Sequence, residues 1–245
     1  MMEERPMPTL LHNPTALPTA HASNGARLVS ASGETLPLRG ITLTAEAAGG
    51  LVRSKLRQHF TNPYSNPLEL TYAFPLPADA AVAGYEIRAG DRVIKGHVER
   101  GDAARSQFEA ARIAGRTAAL VEEERPNLFT QRLGNIPAAT DVIVELTIDH
   151  RLAWIAGGAW EWRFPTVVAP RYLGAPGHVS DADAVTVDVV AGSTTPTASV
   201  ELTIADDVSA PPASPSHRLV VTGHTVTLAS DAALDRDIVI RWSAA

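Results

Sequence analysis

The 245-residue chain carries a net charge of −6, with 45% hydrophobic and 20% charged residues, so it is a poor electrostatic match for nucleic acid or an anionic membrane surface. Aromatic residues are few, at 5%, and the core is therefore expected to be built from Val, Ile, Leu and Ala. Cysteine is absent, which excludes thiol nucleophiles, thiolate metal sites and disulfides.

Residues 1–26 are proline-spaced and aperiodic, without the cationic start and apolar run of a signal peptide, and are expected to form a flexible tail. From Arg27 onward a period of two sets in. Val52, Ser54, Leu56, Gln58 and Phe60 share one face of a strand, and Arg53, Lys55, Arg57 and His59 share the other. Leu68–Phe74 alternates in the same way and stops at Pro75. Tyr85–Glu99 breaks at Gly90–Asp91 and reads as a hairpin. One helix interrupts the strands, over about 102–114. Asp102 is its expected N-cap, Ala104, Phe108 and Ala111 form its apolar face, and Gly115 stops it.

Strands resume at Val142–Ile148, Trp160–Phe164, Val185–Val189, Val200–Ile204, Leu219–Thr222, Thr225–Leu228 and Ile238–Trp242. The proline-rich stretches 165–177 and 209–216 are connectors. The fold class this predicts is all-β, with antiparallel sheets stacked as a β-sandwich and one short helix. No apolar run reaches 18 residues, so no membrane-spanning helix is expected and the chain reads as soluble, its compartment unspecified. All but two of the 21 cations are arginine, the exceptions being Lys55 and Lys95. With the abundant alanine, this composition reads as a GC-rich bacterial gene.

Signals for bond-making chemistry are sparse. The eight histidines lack a metal-ligand spacing, and no HExxH, GxSxG or P-loop pattern occurs, so no catalytic residue, metal or cofactor is expected. Asp181, Asp183, Asp206 and Asp207 read as solvated turn residues rather than a calcium loop. Glu122, Glu123 and Glu124 read as a charged strand edge. Ser216 and His217 are adjacent, and strand neighbours point to opposite faces. The stripe Arg53, Lys55, Arg57 and His59 either docks a glycan or acidic partner, or is a solvated face neutralised by acids such as Glu69. The exposed parts of Trp154, Trp160 and Trp162 are a second candidate glycan surface.

The centre of the chain is more specific. Residues 58–77 read QHFTNPYSNPLELTYAFPLP, followed by Ile94-Lys95-Gly96-His97-Val98 and the helix DAARSQFEAARIAG. Next come Ala119–Phe129 (ALVEEERPNLF), Gly134–Pro137 (GNIP) and Phe164–Tyr172 (FPTVVAPRY). In this order and spacing, residues 27–172 resemble the VIT domain, named for vault proteins and inter-alpha-trypsin inhibitor heavy chains. Phe108 stands where the family often has Tyr, and Ala138–Ala139 replaces a Pro-Gly-like turn.

The resemblance implies a β-sandwich-like module that usually precedes a von Willebrand factor A domain, whose DxSxS motif holds a divalent ion. No DxSxS occurs here, so ion-dependent ligand capture is not transferred to this chain. Residues 173–245 are expected to form either a second small sandwich or the completion of the first. Asp235–Trp242 resembles the segment that leads into the A domain. The implied role is a non-catalytic interaction or scaffold module whose partner is an A-type domain or another protein. A glycan-binding surface is the alternative, and a hydrolase is the reading with least support. Among motif residues, Arg125, Asn127, Phe129, Asn135 and Arg171 either contact a partner or pin loops within the domain.

Overall fold

The computed structural model describes residues 27–29, 35–125, 127–166, 197–230, 232 and 236–244. The expected strand Val185–Val189, with Arg171, Asp181 and Asp183, lies outside the described residues. The described chain is predominantly β, with fifteen strands and one helix.

The largest sheet is assembled from distant parts of the sequence. Its members are β1 (Arg27–Val29), β2 (Thr35–Ala48), β3 (Leu51–Thr61), β5 (Ala81–Ala89), β6 (Arg92–Lys95), β9 (Asp141–Arg151), β12 (Thr197–Ile204), β13 (Leu219–Thr222) and β14 (Thr225–Leu228). Their order is β13-β14-β12-β2-β3-β9-β5-β6, with β1 also paired to β2. Every neighbour is antiparallel except β12 on β2, which run parallel from Thr197↔Gly40 to Ile204↔Ala47. A three-stranded sheet joins β4 (Leu68–Pro75), β8 (Leu128–Ile136) and β7 (Ala118–Arg125) in that order. A second joins β10 (Ala153–Ile155), β11 (Ala159–Phe164) and β15 (Ile238–Ser243).

All three sheets feed one buried cluster. The large sheet contributes Val52, Leu56, Phe60, Val142, Val144, Leu146, Ile148 and Leu202. The small sheets contribute Leu70, Phe74, Phe129 and Leu133, and Trp162, Phe164, Ile240 and Trp242. The period-two pattern explains why only one face of the large sheet is buried: β3 alternates strictly between exposed and buried positions over most of its length.

The helix α1 (Gly101–Ile113) covers the other face of the β4-β8-β7 sheet, where Phe108, Ala118 and Leu120 form a second buried cluster. Gly134 on β8 makes room for it, since a Cβ there would meet Phe108 and Arg112 at 3.4 Å. The helix end follows the expectation: Gly115 sits at φ +68°, and the Gly115 and Arg116 amides donate to Arg112 and Ala111. The helix start differs. Arg100 holds the N-cap position with no side-chain cap, and Asp102 lies in the first turn, where its charge complements the helix dipole. The hairpin also ends early, at Lys95 rather than Glu99.

His150 closes the buried stripe of β9 and is only 5% exposed, with both ring nitrogens unpartnered among the described residues. Burial pushes its imidazole below the ordinary value of 6.5, against the attraction of Asp79 and Asp149. The unfolded chain therefore binds the proton more readily than the folded one. Stability is full above 6.5 and falls as pH drops below it, by at most about 1.4 kcal/mol per pH unit. Urea unfolding at pH 7.5 and 5.5 is expected to show this loss, and His150→Leu is expected to reduce it.

Ala139 is exposed but held at φ +49°, in the left-handed region that costs an L-residue about 1–2 kcal/mol. Part of that cost is offset in Ala139→Gly by the greater freedom of glycine in the unfolded chain. The substitution is expected to stabilise the fold by roughly 0.5–1 kcal/mol. Thermal unfolding measures this as an upward shift of Tm.

Candidate interaction surfaces

The cationic stripe is built by β3, and its chemistry is decided by β9 beside it. The register places Arg53 opposite Asp149, Lys55 opposite Thr147 and Arg57 opposite Glu145. Arg53 donates to both Asp149 oxygens at 2.7 Å, and Arg57 Nε donates to Glu145 Oε2 at 3.0 Å. His59 Nε2 lies 3.8 Å from Asp141 Oδ2. The hydrogen bond from Arg53 holds the Asp149 carboxyl below its usual range despite partial burial. Neutralisation thus comes from Asp149, Glu145 and Asp141, not from Glu69, which accepts instead from Arg112 Nη1 at 3.1 Å. Lys55 is the stripe residue with no ion pair among the described residues. The face is a ladder of opposite charges rather than a run of free cations.

Asn127, Phe129 and Asn135 are engaged within the domain. Arg125 ends β7 opposite Leu128. Asn127 occupies the β7–β8 turn at φ +74°, and its carbonyl accepts the Leu76 amide at 3.2 Å. Phe129 is buried in the main cluster, its ring centroid 6.1 Å from that of Phe74. Asn135, at φ +52°, donates through Nδ2 to the Arg112 carbonyl at 2.8 Å and the Arg116 carbonyl at 3.1 Å. It thereby ties the end of α1 to β8. Asparagine suits both turns because it tolerates the left-handed region better than other side chains with a Cβ.

Two polar residues matter more than their sequence signal indicated. Asn62 is fully buried, and its Nδ2 donates to the carbonyls of Asn66 at 3.2 Å and Pro137 at 2.8 Å. Its Oδ1 accepts the Tyr64 amide at 3.0 Å, so one side chain gathers the ends of β3 and β8. The pair of Asn-Pro steps was the available signal. Glu161 is buried between Arg241 and Arg163, with oxygens 2.7 and 3.1 Å from their guanidinium nitrogens. Burial raises its carboxyl, but hydrogen bonds from Arg241 and then Arg163 outweigh that and hold it below the usual range.

Ser216 and His217 do meet, with His217 Nδ1 2.8 Å from Ser216 Oγ, because they lie in a bend rather than a strand. The same hydroxyl accepts the Val239 amide at 2.9 Å, which pins the loop to β15. Among the described residues, no group of three or more His, Asp or Glu side chains is placed to hold a metal ion. Among the same residues, no helix is long and apolar enough to cross a membrane.

The tryptophans grade from solvent to core. Trp154, Trp160 and Trp242 are successive cross-strand neighbours on β10, β11 and β15. Trp242 and Trp162 are buried, which removes Trp162 from any surface, whereas Trp154 is 57% exposed. Trp154 and Trp160 stand edge to face at 71°, centroids 4.6 Å apart. Beside them a shallow depression of about 490 Å³ is lined by Gly49, Trp160, Ala205, Asp206, Asp207 and Ala244.

Residues 38–148 match the family described as the vault protein inter-alpha-trypsin (VIT) domain. Among curated relatives, human protein mono-ADP-ribosyltransferase PARP4 is 30% identical over 63% of this chain, a stretch that is 9% of its own length. Rat von Willebrand factor A domain-containing protein 5A is 28% identical over 59% of this chain and 18% of its own. The chain thus spans less than a fifth of either relative. A Legionella pneumophila structure described as a nutrient binding protein superposes with a TM-score of 0.51 at 7% identity, covering 90% of this chain and 70% of that one. That likeness concerns the fold alone. Over residues 38–148, a little under half of the chain, motif order and family match coincide in a VIT-type domain.

Proposed function

We propose that this chain is a non-catalytic interaction module that binds or positions a von Willebrand factor A-type domain, in the same polypeptide or a neighbouring one. The observation that carries this reading is the VIT match together with relatives, from rat and Dictyostelium discoideum, that are named for such a domain. The site geometry supports it. Arg53, Arg57, Glu161 and Asn135 are engaged in holding sheets and turns together, which is the work of a rigid platform.

The C-terminal strands support reading residues 173–245 as completing the first unit. β12 adds to β2 of the large sheet, and β15 adds to β11. A module closed in this way presents fixed surfaces, so a partner binds without ordering the platform.

Isothermal titration of the chain with a purified A-type domain encoded in the same genome tests the reading. Saturable binding with a Kd of about 100 μM or tighter is expected, and absence of heat with the partner at about 1 mM overturns the pairing.

A further inference from the structure

The depression beside Trp160 combines two features that, elsewhere among the described residues, hold an arginine. Arg132 lies with its guanidinium carbon 4.8 Å from the Phe108 ring centroid, while its Nη2 donates to Glu109 Oε1 at 2.7 Å. An aromatic face and a carboxylate thus grip one planar cation from two sides. At the depression an indole and two carboxylates are present, and the cation is supplied by no described residue.

The aromatic wall is fixed. The Trp160 ring lies over Gly50, so that a Cβ on that glycine would stand 2.8 Å from Trp160 Cη2. Trp154 braces the ring edge to face and extends the indole surface into solvent. The acidic rim is fixed as well. Both Asp206 oxygens accept the Gly49 amide at 3.0 Å, which sets the carboxylate against the β2–β3 turn. Asp207 is exposed and makes no hydrogen bond or ion pair among the described residues. Elsewhere Asp149, Glu145, Glu161 and Glu109 each hold an arginine, whereas Asp206 and Asp207 hold none.

We propose that the depression lined by Trp160, Asp206 and Asp207, and extended by Trp154, binds an arginine side chain presented by a protein partner. Charge complementarity selects a cation over a neutral ligand. The flat guanidinium, which stacks on indole while donating to a carboxylate, fits this pairing better than a compact ammonium. The proposal rests on reading the chain as an interaction module and names the contact that module makes.

Its test needs no identified partner. The full chain, labelled with ¹⁵N, is titrated with N-acetyl-arginine amide while the indole N–H signals are followed, and N-acetyl-citrulline amide serves as the uncharged control of nearly the same shape. The expected result is a saturable shift of the Trp154 and Trp160 signals, with citrulline binding at least about fivefold more weakly. Asp207→Asn and Trp154→Ala alter exposed side chains and are each expected to weaken arginine binding at least about threefold. Their amide spectra report whether the fold is kept.

Equal shifts from arginine and citrulline overturn the proposal, as do unchanged affinities in both variants. A response to a neutral oligosaccharide such as chitohexaose without one to arginine also overturns it and assigns the surface to glycans. If an A-type domain binds but N-acetyl-arginine amide does not, the module reading stands and this contact falls.

Discussion

Strand β9 is the element on which the rest depends. Its inward residues Val142, Val144, Leu146 and Ile148 are wholly removed from solvent and share one buried cluster with residues of the two smaller sheets. Its outward residues Glu145 and Asp149 meet the arginines of β3 in register. A slip of one residue would reverse both relations at once, exposing four aliphatic side chains and burying two carboxylates. The aliphatic stripe drives association, at about 25 cal/mol for each Å² of apolar surface buried, while the charge ladder contributes little energy at an exposed face. Its contribution is to the choice of register.

Polar side chains close the assembly at its corners. The amide side chains of Asn62 and Asn135 stand where strands of different sheets approach one another or the helix ends, while Asn127 serves its turn through its backbone carbonyl. A buried backbone carbonyl without a donor costs more than an ordinary hydrogen bond returns, so amide side chains at these corners decide whether the turns persist. The family motif around Asn-Pro, Pro-Asn-Leu-Phe and Gly-Asn-Ile-Pro is in this light a set of fastenings for the VIT framework.

Much of this framework was legible in the sequence. The alternation of β3, β4 and β9 announced half-buried strands, and Gly115 marked the helix end. Strand β2 was harder to see because Pro37 and Gly40 break its first half, although Ile41, Leu43, Ala45 and Ala47 alternate with Thr42, Thr44 and Glu46 in its second. The hairpin β7–β8 was recognised as a motif rather than as strands, since Glu122, Glu123 and Glu124 interrupt its pattern. Which acid neutralises Arg53 was not legible, because Asp149 is 96 positions away and only the sheet order brings it near. For the same reason Asp206, 157 positions from Gly49, could not be joined to it.

The parallel pairing of β12 with β2 has a consequence for how the polypeptide is made. One side of β2 is covered by β3 almost as soon as it is synthesised, but the side that receives Thr197–Ile204 must wait until that distant segment has left the ribosome. During that interval the nascent protein carries an open hydrogen-bonding edge beside a largely finished sheet, the kind of template on which foreign strands aggregate. Synthesis of this protein therefore runs a race for that edge between its own late strand and any stray one.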